Sequence, residues 1–490
     1  MNQYLMGIDN GGTMTKAALF DLQGRQVAAA SEPVPVLTPQ EGHTERSMDA
    51  IWHAVCSVVR KVIESTDGGE ILSVGITGHG KGLYLIDQEG SLFPNGIGST
   101  DNRALEYEIQ WNNDGTAEHV YDKTYQKVMA CQPVALLRWM KDYDRSNYDR
   151  IGWVLSAKDT IRYMLTGTVN AEYTDISGTN LLNLVTKDYD DEILDTFGIS
   201  EMHGKLPPII RSTDIGGVVT EKAARETGLK PGTPVSGGMF DIDACAIAMG
   251  TLSPEDLCTI AGTWSINEYI TPNPVGGHIV AMNSLYCDPA FYLAEDSSAA
   301  SAGNLEWMRR MLTEKGYAVI DREVDAIAPE ACKLYYLPFL YASNENPMAK
   351  AGLIGLSAHH TQAHIFRAVM EGVAFSHLTH ISRLIESRTP PKKIRLSGGV
   401  VHSSVWTQMF ADVLGYPIET IAEAELGAKG AAMAAGIAAG VFRDYEDAVK
   451  KCVSVAELVH PNPARMAVYQ SKYQVYRKII DGLDGVWATL

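Results

Sequence analysis

The sequence predicts an α/β protein built from two similar lobes that face one cleft. Three observations point there. The chain has 490 residues, too many for one ordinary hydrophobic core, so two or three domains are expected. Short β-rich runs alternate with longer runs of helical period, the pattern of α/β domains. A strand, Gly-Thr, strand signature also occurs twice, with Gly12-Thr13 and Gly262-Thr263 lying 250 residues apart. A βααβ-type unit used twice, with a hairpin turn in each copy, accounts for that spacing.

In chain order, YLMGIDNGGTMTKAALFD reads as strand, tight glycine turn, strand. Residues 50–65 carry apolar side chains at helical spacing. EILSVGITG is a further strand, and QPVALLRWMKDYD and AKDTIRYMLTG are amphipathic helices. GLKPGTPV is a loop rich in glycine and proline. The lobe boundary is expected just after it, within residues 236–250, giving lobes 1–244 and 245–490. LCTIA and WSINEYI flank the second Gly-Thr turn. LSGGVVHSSVWTQ reads as strand, Gly398-Gly399 turn, helix. The small apolar run at 431–442 is too short to span a bilayer. Its Ala/Gly richness suits a helix packed closely on a neighbour.

The composition, 46% hydrophobic and 20% charged, is that of a globular protein. A net charge of −18 disfavours nucleic acid and anionic membrane as partners. An anionic ligand then needs a local positive pocket. Seven scattered cysteines read as free thiols of a reducing compartment. The N-terminus lacks a basic region followed by an apolar stretch, so a cytoplasmic protein is expected.

GITGHGKGLYLID is nearly a Walker A loop, with Gly75, four residues, then Gly80-Lys81. That loop needs Ser or Thr after its lysine to ligate Mg²⁺. Here Gly82 follows, and LYLID reads as a strand rather than a phosphate-cradling helix. His79 and Lys81 therefore need another explanation.

Four glycine-bearing stretches are candidate ligand loops. In GIDNGGTMTK, Asp9 ends a strand, Gly11, Gly12 and Thr13 make the turn, and Lys16 lies just beyond. Glycines let backbone N–H groups approach phosphate oxygens, Thr adds a donor, and Asp9 suits Mg²⁺ through water. An ordinary hairpin turn uses the same residue types. CTIAGTWS repeats this logic at Gly262 and Thr263. The Gly398-Gly399 turn suits a ribose or phosphate pressed on bare backbone. In GGMFDID, Asp241 sits behind two glycines at the lobe junction, where a carboxylate accepts a proton from an attacking hydroxyl. A helix N-cap is its plainer use. His359, His360 and His364 read as helix-start residues, since no further ligand stands at zinc spacing. No Gly-x-Ser-x-Gly elbow occurs, so a hydrolase triad lacks its cue.

Over nearly its whole length the chain resembles the FGGY family of carbohydrate kinases. AGLIGLSAHHTQAHIFRAVME fits the family's C-terminal signature. CQPVALLRWMKDYD resembles the N-terminal one, keeping Pro133 and Trp139 but placing Leu136 where the family usually has lysine. The first turn reads DNGGT where many members read D-x-G-T-[ST], with one hydroxyl fewer. The resemblance implies two ribonuclease-H-like lobes of the actin/hexokinase/Hsp70 superfamily, with an interlobe cleft that closes around ATP and sugar. It implies Asp9 for the metal, Gly11, Gly12 and Thr13 as first phosphate loop, and Gly262 and Thr263 as second. Gly399 and Ser403 resemble the adenosine loop, Gly303 of SAGNLEW the glycine beside ribose or base, and Asp241 the catalytic base.

GHGKG stands where xylulose kinases carry G-Q-M-H-G, and TDNRA where they carry N-D-G-R. Lys81, Gly82, Asp101 and Arg103 are therefore expected to contact sugar, whose hydroxyls must be paired when taken from water. G-K-G-L-[FY]-L-x-D, S-x-D-x-R-A, S-x-G-N-L-E-W and L-P-F-L-Y are most similar to the L-xylulose branch of the family. The expected activity is ATP- and Mg²⁺-dependent phosphorylation of the terminal primary hydroxyl of a ketopentose, L-xylulose foremost. Kinases of D-xylulose, ribulose, glycerol or erythritol are the alternatives, and behind them a nucleotide-switched binding protein of the same fold. The expected partners are a sugar and ATP, with no nucleic acid and no membrane; a homodimer is left open.

Overall fold

Each glycine turn opens a mixed sheet in the computed structural model. The structure describes every residue except Met1, Asp67, Thr263, Ala342, Asn344, Pro347, Ser387, Ala424 and Leu490. In the first lobe, β1 (Gln3–Asn10), β2 (Met14–Asp21) and β3 (Gln26–Pro33) form an antiparallel meander. Helix α1 (Met48–Glu64) then returns the chain to β4 (Glu70–Gly78), which pairs parallel to β1. Helix α2 (Ala157–Thr166), strand β5 (Pro234–Ser236) parallel to β4, and helix α3 (Asp241–Ala248) complete the lobe.

Strand β1 is buried along nearly its whole length, which is why its sequence is a continuous apolar run rather than an alternating one. Helix α1 begins where Ser47 caps it, its hydroxyl accepting the Ala50 N–H at 3.3 Å, with Asp49 in the first turn and Lys61 in the last. Its apolar face, Ile51, Val55, Val58, Val59 and Val62, lies over β2 and β3 and shares one core with Ala17, Leu19, Met6, Ile8 and Ile76 of the sheet. Each such aliphatic side chain contributes about 1.5–3 kcal/mol when fully buried.

The second lobe repeats the plan. Strands β6 (Cys258–Ala261), β7 (Ser265–Thr271) and β8 (Tyr292–Ser298) are antiparallel. Helix α4 (Gln362–Glu386) leads to β9 (Ile394–Ser397), parallel to β6, and α5 (Ser404–Leu414) leads to β10 (Ile418–Thr420), parallel to β9. Helix α6 (Leu426–Ala438) follows. Both sheets hold their strands in the spatial order third, second, first, fourth, fifth. The repeated unit is thus β-β-β-α-β-α-β-α, longer than the βααβ unit expected. Each parallel pairing needs a crossover helix. The third strand of the first copy, QVAAASEP, is half exposed and carries little apolar signal.

The small-residue run forms α6 and packs as closely as its composition suggested. A Cβ on Gly7 of β1 would collide with the Ala428 backbone, one on Gly75 of β4 with Ala431, and one on Gly430 with Ala244 of α3. Helix α6 of the second lobe therefore lies directly on the first sheet and on α3. The division expected at 244/245 falls inside α3. An insertion around residues 79–156 builds a separate core from Leu83, Val134, Leu136, Leu137 and Val154. All seven cysteines are free. No helix among the described residues is long and apolar enough to cross a membrane.

Candidate active site

Asp241 is the first residue of α3 and reaches its position through backbone pairing. Met239–Phe240 runs parallel to the end of β4, with Phe240 opposite Gly78. Its Oδ1 accepts the Ile242 N–H at 2.9 Å. The N-cap position belongs to Phe240, so the carboxylate is not consumed as a cap. Burial pushes its pKa well above the usual carboxylate range, and the charges of Asp9, Asp175 and Glu295 push it further.

Asp9 is the penultimate residue of β1, at the same junction. Burial pushes it up to about 6, Lys16 pulls it down and Glu425 pushes it up. Lys16 is itself paired to Glu425 at 3.0 Å. Gly427 leaves room here, since a Cβ would stand 2.8 Å from Asp9 Oδ2. No group of three or more His, Cys, Asp or Glu among the described residues is arranged to hold a metal ion. Mg²⁺ is usually held by one or two carboxylates, waters and substrate phosphates. Asp9, a hard oxygen donor whose positive neighbour Lys16 is itself paired to Glu425, fits that role.

The glycine loops of the second lobe converge. The Gly303 N–H donates to the Gly262 carbonyl at 3.3 Å. Gly398, at φ +96°, presses on β6 so closely that a Cβ would stand 3.0 Å from the Gly262 nitrogen. Gly12, Gly262 and Gly399 each face open space, with nothing within 4 Å of where a Cβ would sit. Ser403 caps α5, its Oγ accepting the Trp406 N–H at 3.1 Å. Thr263 lies outside the described residues.

The near-Walker stretch is not a phosphate loop of that kind. Lys81 and Gly82 take left-handed conformations, φ +63° and +69°, and the strand Tyr84–Asp87 follows instead of a helix. The loop instead packs against Phe240, Ile97 and Cys131. A Cβ on Gly80 would collide with the Phe240 ring, next to Asp241. A Cβ on Gly82 would lie 2.5 Å from the Ile97 carbonyl, and the Gly82 N–H donates to the Cys131 carbonyl at 2.7 Å. His79 is buried, with Nε2 2.9 Å from the Tyr84 hydroxyl. Burial and then Arg46 push its pKa down to about 4, so the imidazole is neutral at pH 7.

Asp101 and Arg103 form one unit. Asp101 Oδ1 accepts from Arg103 Nε and N, and Oδ2 from Arg103 Nη2, each at 2.9 Å. Oδ2 also accepts the Thr44 N–H at 2.6 Å. Arg103 reaches Glu45 at 2.8 Å and lies 5.2 Å over the Trp139 ring of the N-terminal signature. Leu136, where the family usually has lysine, is wholly buried in the core of the insertion. Sequence reasoning missed Thr174, whose hydroxyl oxygen accepts the Phe240 N–H at 2.9 Å just before Asp241. It also missed Glu425 and Arg46, lone charges that no motif marks.

Comparison with known proteins identifies a family over both lobes. The N-terminal domain of the FGGY family of carbohydrate kinases matches residues 4–248, and the C-terminal domain matches residues 257–439. The chain belongs to the FGGY family of carbohydrate kinases. An Escherichia coli (strain K12) protein named L-xylulose/3-keto-L-gulonate kinase is 36% identical, covering 100% of this chain and 99% of its own. A Bacillus subtilis (strain 168) xylulose kinase is 26% identical over 97% of this chain and 96% of its own. The crystal structure of a ligand-bound xylulose kinase from Lactobacillus acidophilus shares the fold, with a TM-score of 0.92, 24% identity and 99% of each chain covered. This FGGY kinase therefore has the two-lobed α/β architecture of the actin/hexokinase/Hsp70 type, and it is a carbohydrate kinase.

Proposed function

We propose that this carbohydrate kinase transfers the γ-phosphoryl group of ATP to the terminal primary hydroxyl of a ketopentose, with L-xylulose the preferred acceptor. The observation that carries the reading is the placement of Asp241. It stands beside the loop of Gly80, Lys81 and Gly82 through Phe240, and within the field of Asp9 at the first glycine turn. The name of the Escherichia coli relative, which covers the chain end to end, supports the choice of sugar.

In this reading Lys81, Gly82, Asp101 and Arg103 bind the sugar, with Trp139 backing the Arg103 guanidinium. Gly11, Gly12 and Thr13 bind phosphate oxygens from the first lobe, and Gly262 and Thr263 from the second. Gly303, Gly399 and Ser403 border the adenosine. Asp9 would hold Mg²⁺, which when bound neutralises charge on the phosphates. Asp241 takes the proton of the attacking hydroxyl as the new O–P bond forms and the bond to the ADP oxygen breaks. Burial, with the neighbouring carboxylates, raises its proton affinity, which strengthens it as a proton acceptor. Closure of the lobes, divided at residues 244 and 245, excludes water that would otherwise take the phosphoryl group.

The test is a coupled ADP-release screen over pentuloses, hexuloses, polyols and keto-acid sugars. L-Xylulose should give the highest kcat/KM. A polyol such as glycerol or erythritol in that place would move the assignment within the family.

A further inference from the structure

Arg46 lies in the short strand Glu45–Ser47, which pairs with Asn95–Ile97. Neighbouring side chains on a strand point to opposite faces. Glu45 turns toward Arg103 and toward Asn95 of the paired strand. Arg46 turns the other way, beneath the first glycine turn, with 1% of its surface exposed. There Nη1 donates to the Gly11 carbonyl at 2.8 Å and Nη2 to Asn10 Oδ1 at 3.2 Å. Both acceptors are neutral, as is the nearby Tyr84 hydroxyl. Nε has no hydrogen-bond partner. A guanidinium buried against neutral groups is costly to retain, and packing alone would be served by an apolar side chain.

The peptide plane shows what it does. In a trans peptide the C=O and the following N–H point in opposite directions. The Gly11 carbonyl is drawn down to Arg46, so the Gly12 N–H points to the opposite side of that peptide, away from Arg46, and the Cβ direction of Gly12 is unobstructed as well. The second bond fixes the base of the hairpin, because Asn10 Oδ1 also accepts the Thr15 hydroxyl at 3.1 Å, and Asn10 pairs with Thr15. We propose that Arg46 is the positioning residue of the first phosphate loop: it locks the Gly11–Gly12 peptide with its N–H outward and sets a buried positive charge behind the phosphate site. The proposal rests on the reading of residues 11–13 as that loop.

The experiment measures, on full-length protein, MgADP affinity by calorimetry, L-xylulose affinity without nucleotide, ATP kinetics and thermal unfolding. The variants are Arg46→Met, Arg46→Gln, Arg46→Lys and Thr13→Ala. Arg46→Met and Arg46→Gln should weaken MgADP by about 10–100-fold, the scale of a lost charge-assisted hydrogen bond. The ATP kcat/KM should fall in step, with L-xylulose affinity close to wild type. Arg46→Lys should recover part of the loss, since an ammonium lacks the fork that reaches both acceptors. A merely structural role would lower the unfolding temperature without separating nucleotide from sugar affinity. Should Arg46→Met not fold, the same ratio is read on the Gln and Lys variants. Unchanged MgADP affinity in folded Arg46 variants, with Thr13→Ala weakened, overturns the proposal alone. Unchanged affinity in Thr13→Ala as well, or no MgADP binding by the wild type, overturns the phosphate-loop reading beneath it.

Discussion

Gly80 sits so close to Phe240 that a Cβ on the glycine would collide with the aromatic ring. Phe240 immediately precedes Asp241, so this contact ties the proposed sugar loop to the proposed base. Gly80→Ala must displace the ring and with it the carboxylate. A misplacement of about 1 Å costs on the order of 10²-fold in rate. The variant should therefore lose kcat on that scale while binding MgADP as the wild type does, read by steady-state kinetics and calorimetry.

Asp241→Asn should keep the fold and nucleotide affinity and lose transfer, because an amide accepts no proton. General-base catalysis is worth about 10²–10⁴-fold. Asp243, two positions on, is the obvious substitute base. It is wholly buried, however, and its Oδ1 accepts the Cys287 N–H at 3.0 Å. Asp243→Asn should leave kcat near wild type, and near-normal turnover in Asp241→Asn would remove Asp241 from its role.

Much of the fold is legible in local sequence. The hairpins at Gly11 and Gly262 stand out because Asp, Asn, Gly and Thr between β-rich runs have few other conformations to choose. Asp9 and Asp241 stand out for the same reason, as carboxylates beside glycines. Strand β3 does not, because it is half exposed and built from alanine and polar residues. Nor does Arg46, whose meaning depends on meeting a carbonyl 35 positions earlier. Glu425 similarly takes its meaning from neighbours far away in sequence, Lys16, with which it pairs, and Asp9, whose pKa it raises.

The pH dependence of Asp9 has a definite sign. Burial, with Glu425 added and Lys16 opposed, raises its pKa from 3.8 to about 6. Such a carboxyl binds its proton more tightly folded than unfolded. Its stabilising contribution is full below 3.8 and is lost as pH rises through about 6. Ligand-free enzyme should lose thermal stability across that window through this group, and Asp9→Asn should flatten the segment. Mg²⁺ needs the ionised form, so the apparent Mg²⁺ affinity in the presence of ADP should weaken about tenfold per pH unit below the raised pKa. Unfolding scans against pH and Mg²⁺ titrations check both; superimposable wild-type and Asp9→Asn curves would contradict the assignment.

Lys81 holds a left-handed conformation, φ +63°, which costs a non-glycine residue about 1–3 kcal/mol and is commonest at ligand sites. An ammonium in the sugar pocket favours an electron-rich oxygen, and a charge-assisted bond to a carboxylate is roughly twice as strong as a neutral one. Lys81→Met should raise KM for L-xylulose and raise it more for 3-keto-L-gulonate, with the ATP KM almost unchanged. If ATP affinity falls while sugar affinity holds, the loop serves the nucleotide instead.

The most direct test follows the phosphoryl group itself. Wild-type enzyme is mixed with Mg²⁺ and ATP labelled at the γ-phosphate, with and without L-xylulose, and the label is traced by chromatography. The account predicts that label passes to the terminal hydroxyl of the ketose, with little inorganic phosphate released in either mixture, and that Asp241→Asn abolishes the transfer. Label released as inorganic phosphate at the same rate with or without ketose would contradict it, marking a nucleotide-switched ATPase on the same fold.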